Sequence, residues 1–471
     1  MNVTTAAELT TAIANAKAGD EIVLVAGTYA LGNLDCSANG TATAPIVVRS
    51  ATPLAAKIEL SGLEGFKVSG AHWHFEGLDV KGVCAADDNC EHAFHVTGGA
   101  TGFVMRGNRV VDFNAQLKVN AAIAGVGNAV IPHNGLVEYN ELYDTRARNT
   151  GNPVTKLNID TGDDWVVRGN YVHDFHKVGM NVTTYGVFLK SGGKRGLVER
   201  NLVVCSKDVT SSAATIGLSF GGGGTGNAFC APAFDTNVPC SVEHEDGTMR
   251  NNIIANCSDV GIYVNRGKSS HLFYNTLIAT TGIDFRYDTS SGEARANAYA
   301  GVIRNREAST GTFSDNVLLT QNDFDAMYNA PLLGNLSLKG GALTALVGKG
   351  PAINGVTEDY CARPRGAAPL DVGALESSLG DCATVPPPKG TGGPNDAGAD
   401  GSTPGSDAGS DGGFYSDNGG PRRPDGTSSS GSAASNDDDG GCGCRTTKPA
   451  RAGFAAWLGA LIVVLVLRRR R

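Results

Sequence analysis

Short runs of alternating hydrophobic and polar residues recur along most of the chain, and the runs share the same apolar positions. Seven of these segments align on an Asn that stands three positions after one apolar residue and two positions before another. The aligned residues are Asn108, Asn140, Asn170, Asn201, Asn252, Asn275 and Asn316. Alternation with period 2 is typical of β-strands, and its regular return indicates a repeat architecture.

The first spacings between these asparagines are 32, 30 and 31 residues, and the later ones are 51, 23 and 41. Repeats of this length, made of short β runs and Gly/Asn turns, predict an all-β fold. That fold is a right-handed parallel β-helix (a solenoid) whose coils stack about 4.8 Å apart. A stacked Asn column would satisfy the backbone at a tight turn. The alternative, a β-propeller, needs four strands per blade and a longer regular period.

The ends of the repeat region carry the features of caps. Thr5 and Glu8 form a capping-box pattern, which predicts an N-terminal cap helix before a first strand at "EIVLVAGTY". The apolar residues on one face of that helix are Leu9, Ile13 and Ala16. The order of helix and strand resembles the opening of the pectate-lyase-like superfamily. Segment 350–376 resembles a closing module of bacterial β-helix surface proteins.

The composition divides the chain into three parts. We assign residues 1–380 to the β-helix domain. Residues 386–441 are mostly Gly, Ser, Asp and Pro, which cannot bury enough apolar surface to fold, so we predict a disordered linker. Residues 442–471 hold two cysteines, an apolar segment at 453–467 and four terminal arginines, which predict a short C-terminal apolar helix.

That last segment resembles the C-terminal sorting tag called MYXO-CTERM, with its cysteine at Cys442 or Cys444. The resemblance implies export, cleavage by a sorting protease and display at the cell surface, associated with the outer membrane. Before processing, the apolar segment would contact the membrane. A plain tail anchor is the alternative. Because the N-terminus lacks a basic start followed by an apolar run, we expect a signal peptide upstream of Met1.

The remaining cysteines fit an oxidising compartment. Short loops would be closed by Cys84 with Cys90 and by Cys230 with Cys240, and the other candidate pairs are Cys205 with Cys257 and Cys361 with Cys382. Cys36 would be left over. Spacing alone does not determine the pairing. The formal net charge of -8 argues against a nucleic-acid partner, and we expect a monomer.

Candidate chemistry lies at the outward positions of the strand before each Asn. Matching the inward apolar residues gives two outward columns. The first holds Asp160, Lys190, Gly221, Asn265 and Arg286, and the second holds Asn158, Phe188, Ser219, Tyr263 and Asp284. This alignment places Asp160 directly beneath Lys190 and the glycine run 221–224 above it.

Two interpretations of these columns remain open. One is an ion pair on a solvated surface, which contributes little stability. The other is a catalytic site in which glycines let a sugar approach the backbone. The residues that would then bind substrate are Phe188, Ser219, Gly221, Tyr263, Asn265 and Arg286. Arg286 lies three coils from Lys190, roughly 14 Å by strand spacing, and fits a second subsite.

β-Elimination of a uronic acid polymer needs a base to remove a proton and a cation to stabilise the enolate. Asp160 would hold Lys190 charged, so Lys190 fits the cation better than the base. The stretch "GVFLKSGGKRGLVERN" also resembles the chondroitinase-B/alginate-lyase family, in which a strand lysine followed by Ser and an Asn-bearing turn carries the catalytic base. Lys190, Ser191 and Asn201 match that pattern.

The departures from that family are specific. It places Arg-His-Gly on the next coil, where this chain has "GLSFGGGG". It places calcium-binding carboxylates where this chain has Thr183 and Tyr185. The arginine and the metal ligands of the family therefore do not carry over.

Two other sets of residues are weaker candidates. In "SVEHEDG", His244 could act as an acid or base, and the carboxylates between Glu243 and Asp246 could bind calcium, although a solvated acidic loop is the plainer interpretation. A third column, four residues after successive asparagines, holds Asp112, Asp144 and Asp174. Turn-closing hydrogen bonds explain such a column without a metal.

The sequence thus supports two classes of function. One is a polysaccharide-active enzyme, a lyase cleaving a uronic-acid-containing glycan, with Lys190, Asp160 and His244 as candidate catalytic residues. The other is a non-catalytic glycan-binding surface protein or adhesin. Epimerase and hydrolase chemistry also stay open, but a hydrolase needs a carboxylate pair at a defined separation, and the sequence singles out no such pair.

Overall fold

The computed structural model of the protein describes residues 1–179, 183–222, 225–339 and 344–387. From Asn2 to Leu318 the chain winds through three long parallel sheets, and a complete coil contributes one strand to each. The parallel β-helix is therefore confirmed, and the propeller is excluded. The linker beyond Pro387 and the C-terminal tag with its apolar segment lie outside the described residues. Within the described residues, no helix is long and apolar enough to cross a membrane.

Each sheet runs the length of the solenoid. Sheet 1 contains the strands Asn2–Val3, Glu21–Leu24, Ile46–Ser50, Trp73–Glu76, Val104–Arg106, Leu136–Glu138, Val166–Arg168, Leu197–Glu199, Thr248–Arg250, Ser270–Phe273, Ser291–Arg295 and Thr310–Ser314. Sheet 2 contains Gly27–Leu31, Ala56–Leu60, Asp79–Gly82, Arg109–Val111, Glu141–Tyr143, Tyr171–His173, Leu202–Val204, Ile253–Ala255, Thr276–Ile278, Ala298–Tyr299 and Val317–Leu318. Sheet 3 contains Leu34–Cys36, Glu64–Val68, His92–Thr97, Ala115–Asn120, Val154–Asp160, Thr183–Lys190, Ala214–Phe220, Ile262–Asn265, Gly282–Arg286 and Val302–Arg306.

Smaller elements decorate the coils. The short strand pairs and triplets are Ala122–Gly125 with Asn128–Val130, Arg148–Asn149 with Lys177–Val178, Gly193–Lys194 with His244–Glu245 and Gly267–Lys268, and Tyr328–Ala330 with Asn335–Leu338. The α-helices are Ala6–Ala14 and Gln321–Met327, and the 3₁₀ turns are Asp87–Asn89, Asn227–Phe229, Pro331–Leu333 and Ser377–Leu379.

The asparagine column is a hydrogen-bonded ladder at the turn between sheets 1 and 2. The Nδ2 group of each Asn donates to the Oδ1 atom of the Asn in the next coil at 2.8–3.0 Å. The ladder also includes Asn297, which the sequence alignment missed. The 41-residue gap between Asn275 and Asn316 therefore contains two steps, of 22 and 19 residues.

The N-terminal cap has the predicted chemistry. Thr5 caps the helix Ala6–Ala14, and the Glu8 side chain returns to the Thr5 backbone. One prediction here is wrong: the first strand is Asn2–Val3, which precedes the helix and pairs with Glu21–Leu24. Two residues are too short to show an alternation pattern, and only the pairing partner defines them as a strand.

The C-terminal part of the domain runs along the outside of the solenoid. Tyr360 and Phe324 pack against outward residues of sheet 2 such as Leu202 and Ile253. Outward apolar positions need such a cover, because otherwise they would face water. Segment 350–376 therefore covers the side of sheet 2, and the strands of the last coil stay largely exposed.

The disulfides are the four proposed pairs, Cys84–Cys90, Cys205–Cys257, Cys230–Cys240 and Cys361–Cys382. Cys36 is the free, buried cysteine of the described residues. Cys442 and Cys444 lie outside them. Stacking explains the second pair, because Cys205 and Cys257 follow paired strands of sheet 2.

Candidate functional site

The outward side of sheet 3, which we call the sheet 3 face, carries the predicted columns in register. Asp160 is paired with Lys190, Phe188 with Ser219, and Asn265 with Arg286. The apolar residues between them point into the core and are almost fully buried. The inward and outward assignment made from the sequence is therefore confirmed.

Three charged side chains meet on this face, and we call them the lysine–aspartate cluster. Lys190 Nζ lies 3.1 Å from Asp160 Oδ1, and Lys118 Nζ contacts the other carboxylate oxygen. The Ser191 hydroxyl also donates to Asp160 Oδ1 at 3.1 Å. Two lysine side chains thus share one carboxylate.

Burial alone would raise the pKa of Asp160, but the ammonium groups of Lys118 and Lys190 outweigh it and hold this pKa at about 2. Asp160 is therefore ionised at neutral pH. Lys190 Nζ also lies 5.0 Å from the centroid of the Phe188 ring, a cation–π contact. The Lys190 ammonium group thus lies between a carboxylate and an aromatic ring.

The cluster is covered, which the sequence did not predict. The Lys190 side chain is only 3% exposed and that of Asp160 only 12%. Gly222 lies on Lys190 and Phe188 so closely that a Cβ atom there would be 2.9 Å from Lys190 Cδ. Gly221 and Gly222 thus bring the backbone down onto the lysine instead of clearing space above it. Gly223 and Gly224 lie outside the described residues.

The cover continues into two insertions, which we call the roof: the hairpin 122–130 and the loop 225–243. Glu243 anchors the loop by accepting the Thr225 hydroxyl at 2.8 Å, and Ala231 N donates to Ser191 O at 2.9 Å. The hairpin meets this loop where Gly127 N donates to a backbone carbonyl at 2.7 Å. The predicted open ledge is therefore an enclosed site.

The other predicted binding residues divide by their contacts. Ser219 is fully buried and donates to backbone carbonyls, and Asn265 is also buried. Tyr263 and Arg286 form a pair in which Arg286 Nη1 donates to the Tyr263 phenol oxygen at 3.1 Å. Arg286 also bonds Glu307 at 2.8 Å. The Tyr263–Arg286 pair lies above the cluster, in keeping with a separate subsite.

The structure does not bring His244 to the cluster. His244–Glu245 is a short strand beside Gly193–Lys194, and the imidazole stacks on the inward-facing Phe220 at 4.3 Å. Neither ring nitrogen has a hydrogen-bond partner among the described residues. Burial lowers the pKa of His244 to about 3, so it is neutral in the fold. An acid–base role beside Lys190 has no geometric support.

We expect His244 to make the fold sensitive to mild acid. Its folded pKa is about 3, and an unfolded histidine titrates near 6.5, so its contribution to stability is present above pH 6.5 and lost as the pH falls towards 3. Between pH 7 and pH 4.5 the loss should be about 3 kcal/mol. His244→Leu should flatten the plot of melting temperature against pH over this window. Parallel plots for the two proteins would refute the assignment.

The other candidate carboxylates are engaged by protein groups. Glu245 bridges Lys194 at 2.9 Å and Lys268 at 2.7 Å. In the aspartate column, Asp174 accepts three backbone N–H groups at 2.8 Å each, and Asp112 accepts the Thr145 N–H at 2.8 Å. These bonds close turns, as the plainer interpretation expects. Asp144 differs, because it forms a fully buried ion pair with Lys156 at 2.6 Å.

Sequence reasoning missed Lys118 and a group of residues lower on the same face. Lys118 pairs in register with Asn158. It lies one coil before the first coil that was included in the outward columns predicted from the sequence. Glu64, His92 and His95 lie lower still, with their side-chain donor atoms within 4.8 Å of one another. The sequence signal was "HAFH", which simple alternation places on opposite faces.

The outward side of sheet 1 forms a second candidate surface. Sheet 1 carries an outer groove of about 1100 Å³ in which arginines and glutamates alternate from coil to coil. Arg106 and Arg168 bond Glu138 and Glu199, each with a nearest distance of 2.6 Å. The floor between them is aliphatic, formed by outward residues of successive strands. This groove is open, unlike the cluster.

Residues 3–111 match the family model of Chondroitinase B. The matched segment is less than half of the chain, includes Glu64, His92 and His95, and ends before Lys118. Comparison with curated protein sequences gives no significant match.

Solved structures that resemble the chain include several that are described as polysaccharide lyases. Pectate lyase Pel9A matches with a TM-score of 0.48 and 14% identity, over 78% of this chain and 90% of its own. The PL6 family polysaccharide lyase from Pseudopedobacter saltans matches with a TM-score of 0.35 and 12% identity, over 73% and 97%. A rhamnogalacturonan lyase matches with a TM-score of 0.39 and 15% identity, over 72% and 88%.

Proposed function

We propose that the protein acts on a uronic-acid-containing polysaccharide by β-elimination at the sheet 3 face. The observation that carries the proposal is the lysine–aspartate cluster, in which two lysine side chains meet one aspartate on the outward side of sheet 3, beneath the roof. The local match of residues 3–111 to the Chondroitinase B family supports the same class of substrate.

In this reaction a base removes the proton next to the uronate carboxylate, the bond to the leaving sugar oxygen breaks, and a carbon–carbon double bond forms. The removed proton stays on the base, and the leaving oxygen takes a proton from an acid. Lys190 and Lys118 would stabilise the negative charge that develops on the carboxylate. Asp160 keeps them charged and fixed in place, so Lys190 serves as the cation.

The acid that protonates the leaving sugar oxygen must come from a neighbouring group, and Tyr185, whose phenol is a hydrogen-bond donor in this structure, is the candidate. Its phenol donates to Gly222 O at 3.2 Å, and its ring packs edge-on against Phe188 at 5.1 Å. Because the cluster is covered, substrate entry requires the roof to open. Loops and lids of this kind commonly gate active sites.

Activity on polyuronates tests the proposal. The purified full chain is incubated with alginate, pectate and chondroitin, and the ultraviolet absorbance of the unsaturated product is followed. We expect turnover of at least one polymer and a loss of about 100-fold in Lys190→Met, the size of effect seen when one charge-stabilising group is removed. Tyr185→Phe should also reduce turnover.

Lys194→Met is the matched control, because Lys194 lies four residues away, is 45% exposed and bonds Glu245 outside the cluster. It should retain full activity. Melting temperatures of all variants separate a loss of chemistry from a loss of fold. No product from any polymer, or equal rates for wild type and a folded Lys190→Met, would overturn the proposal.

A non-catalytic glycan-binding protein is the second candidate, favoured by the burial of Lys190 and by the open groove of sheet 1. Glycan binding without turnover, weakened by Arg168→Ala and unaffected by Lys190→Met, would support it. Export, processing of the C-terminal tag and surface display are part of the proposal for either candidate. The disulfides fit this localisation, because such bonds persist in oxidising compartments.

A further inference from the structure

A histidine pair and a glutamate share one small area of the sheet 3 face, below the cluster. Glu64 lies on the strand Glu64–Val68, and both histidines lie on the next strand, His92–Thr97. His92 is in register with Glu64, and His95 with Lys67. The three side chains are half-buried, so the area is accessible from solvent.

A local irregularity puts both histidines on the outer side. Ala93 and Phe94 are consecutive residues that are both fully buried, and this interrupts the alternation of the strand. His92 and His95 then face outward together, with ring centroids 5.1 Å apart. The neighbouring strand Glu64–Val68 shows the same arrangement, with Gly65 and Phe66 both buried, and the register between the two strands continues without a shift.

The nitrogen atoms of the two rings converge on one carboxylate oxygen. His95 Nδ1 lies 2.8 Å from Glu64 Oε1, and His92 Nδ1 lies 3.8 Å from the same atom. His92 Nδ1 is buried and has no hydrogen-bond partner among the described residues. In a tetrahedral zinc site with bonds near 2.0–2.1 Å, ligand atoms lie roughly 3.3 Å apart, between these two distances.

The remote nitrogens face oxygen atoms, as they do in metal sites. His95 Nε2 lies 3.0 Å from Asn120 Oδ1 on the next coil, and His92 Nε2 lies 3.8 Å from Glu91 Oε1. In the tautomer with the protons on these remote nitrogens, both Nδ1 lone pairs are directed at the carboxylate. Two lone pairs facing an anion repel it unless a cation lies between them.

We propose that Glu64, His92 and His95 bind a divalent transition-metal ion of the zinc class, with an open coordination position towards solvent. Two imidazole nitrogens favour zinc over calcium, which prefers oxygen ligands. Lys67 Nζ, 3.7 Å from Glu64 Oε2, occupies the second carboxylate oxygen, so Glu64 binds through Oε1 alone.

The site lies on the sheet 3 face, next to the lysine–aspartate cluster. His95 is paired in register with Lys118, one coil below it. A metal ion there would offer a further positive charge to an anionic group of a bound polymer. Metal binding itself does not depend on the proposed function and can be measured without any substrate.

Zinc binding by the full chain, purified without an affinity tag, tests the proposal. After treatment with a chelator and dialysis, equilibrium dialysis should find one tightly bound Zn²⁺ per chain, and Co²⁺ should give the visible absorption of a low-symmetry site. His95→Gln should weaken binding by about 100-fold, and Asn120→Ala, which removes only the outer partner, by about 10-fold. Zn²⁺ should raise the melting temperature of the wild type but not that of His95→Gln.

His271→Gln is the matched control, because His271 lies 3.1 Å from Glu293 and 3.6 Å from Asp246 but belongs to no three-ligand group among the described residues. It should leave zinc affinity unchanged. The proposal is overturned if no Zn²⁺ binds, if Ca²⁺ binds and Zn²⁺ does not, or if His95→Gln, shown to be folded by its melting temperature, binds as tightly as the wild type. Lack of lyase activity with intact zinc binding would overturn only the proposed function.

Discussion

Replacing Asn170 by alanine is expected to lower the free energy of unfolding by about 4 kcal/mol, because it leaves several buried polar groups without partners. Asn170 is fully buried. It accepts the backbone N–H of Asn140 at 3.1 Å and the Asn140 side-chain amide at 2.9 Å. It also donates to Val137 O at 2.8 Å and to Asn201 Oδ1 at 3.0 Å. Chemical denaturation measures the change.

Asn316→Ala is the matched comparison at the end of the ladder. Asn316 is half-buried and accepts from Asn297 alone within the ladder, with one further bond to Ala294 O at 2.8 Å. Water can replace part of what is lost there, so the cost should be roughly half as large, near 2 kcal/mol. Equal effects at both positions would contradict a ladder whose interior members depend on two neighbours.

Replacing Asp160 by asparagine is expected to cost about 3 to 5 kcal/mol, the range for breaking a buried ion pair by removing one partner. Lys118 and Lys190 would remain close together and buried, with no carboxylate between them. The same interaction predicts loss of stability in acid. Since the folded pKa of Asp160 is about 2, the stabilisation is present above pH 4 and is lost as the pH falls towards 2.

A double-mutant cycle separates this charge effect from simple packing. Lys118→Met in the wild type leaves a one-to-one pair of Asp160 with Lys190 and should cost little. In the Asp160→Asn background the same change removes one of two repelling ammonium groups and should restore stability. If Lys118→Met had the same effect in both backgrounds, the three groups would not form one electrostatic unit.

Local pattern was enough to predict the parts of the fold that repeat. The inward residues of sheet 3 and the ladder asparagines recur once per coil, because stacking gives every coil the same two constraints. Asn297 was missed because a small residue, Ala294, stands at its apolar position three residues before, so the segment did not align.

The candidate site depends on contacts that no local pattern encodes. Gly222 lies over Lys190 while its N–H donates to Glu243 Oε2 at 3.3 Å, 21 residues further along the chain. His244 faces the core because its two-residue strand pairs with Gly193 and Gly267. Consecutive burial of Ala93 and Phe94 puts both histidines of "HAFH" on the outer side. In each case the side-chain direction follows from long-range packing, which alternation cannot predict.

The central claim is that the sheet 3 face, around the lysine–aspartate cluster, is where this protein engages an anionic polysaccharide. A crystal structure of the full chain with a bound oligouronate tests it most directly. The account predicts a sugar carboxylate within hydrogen-bonding distance of Lys190 or Lys118, beneath a displaced roof. An oligouronate bound in the groove of sheet 1 beside Arg168, with Lys190 still covered by Gly222, would contradict it.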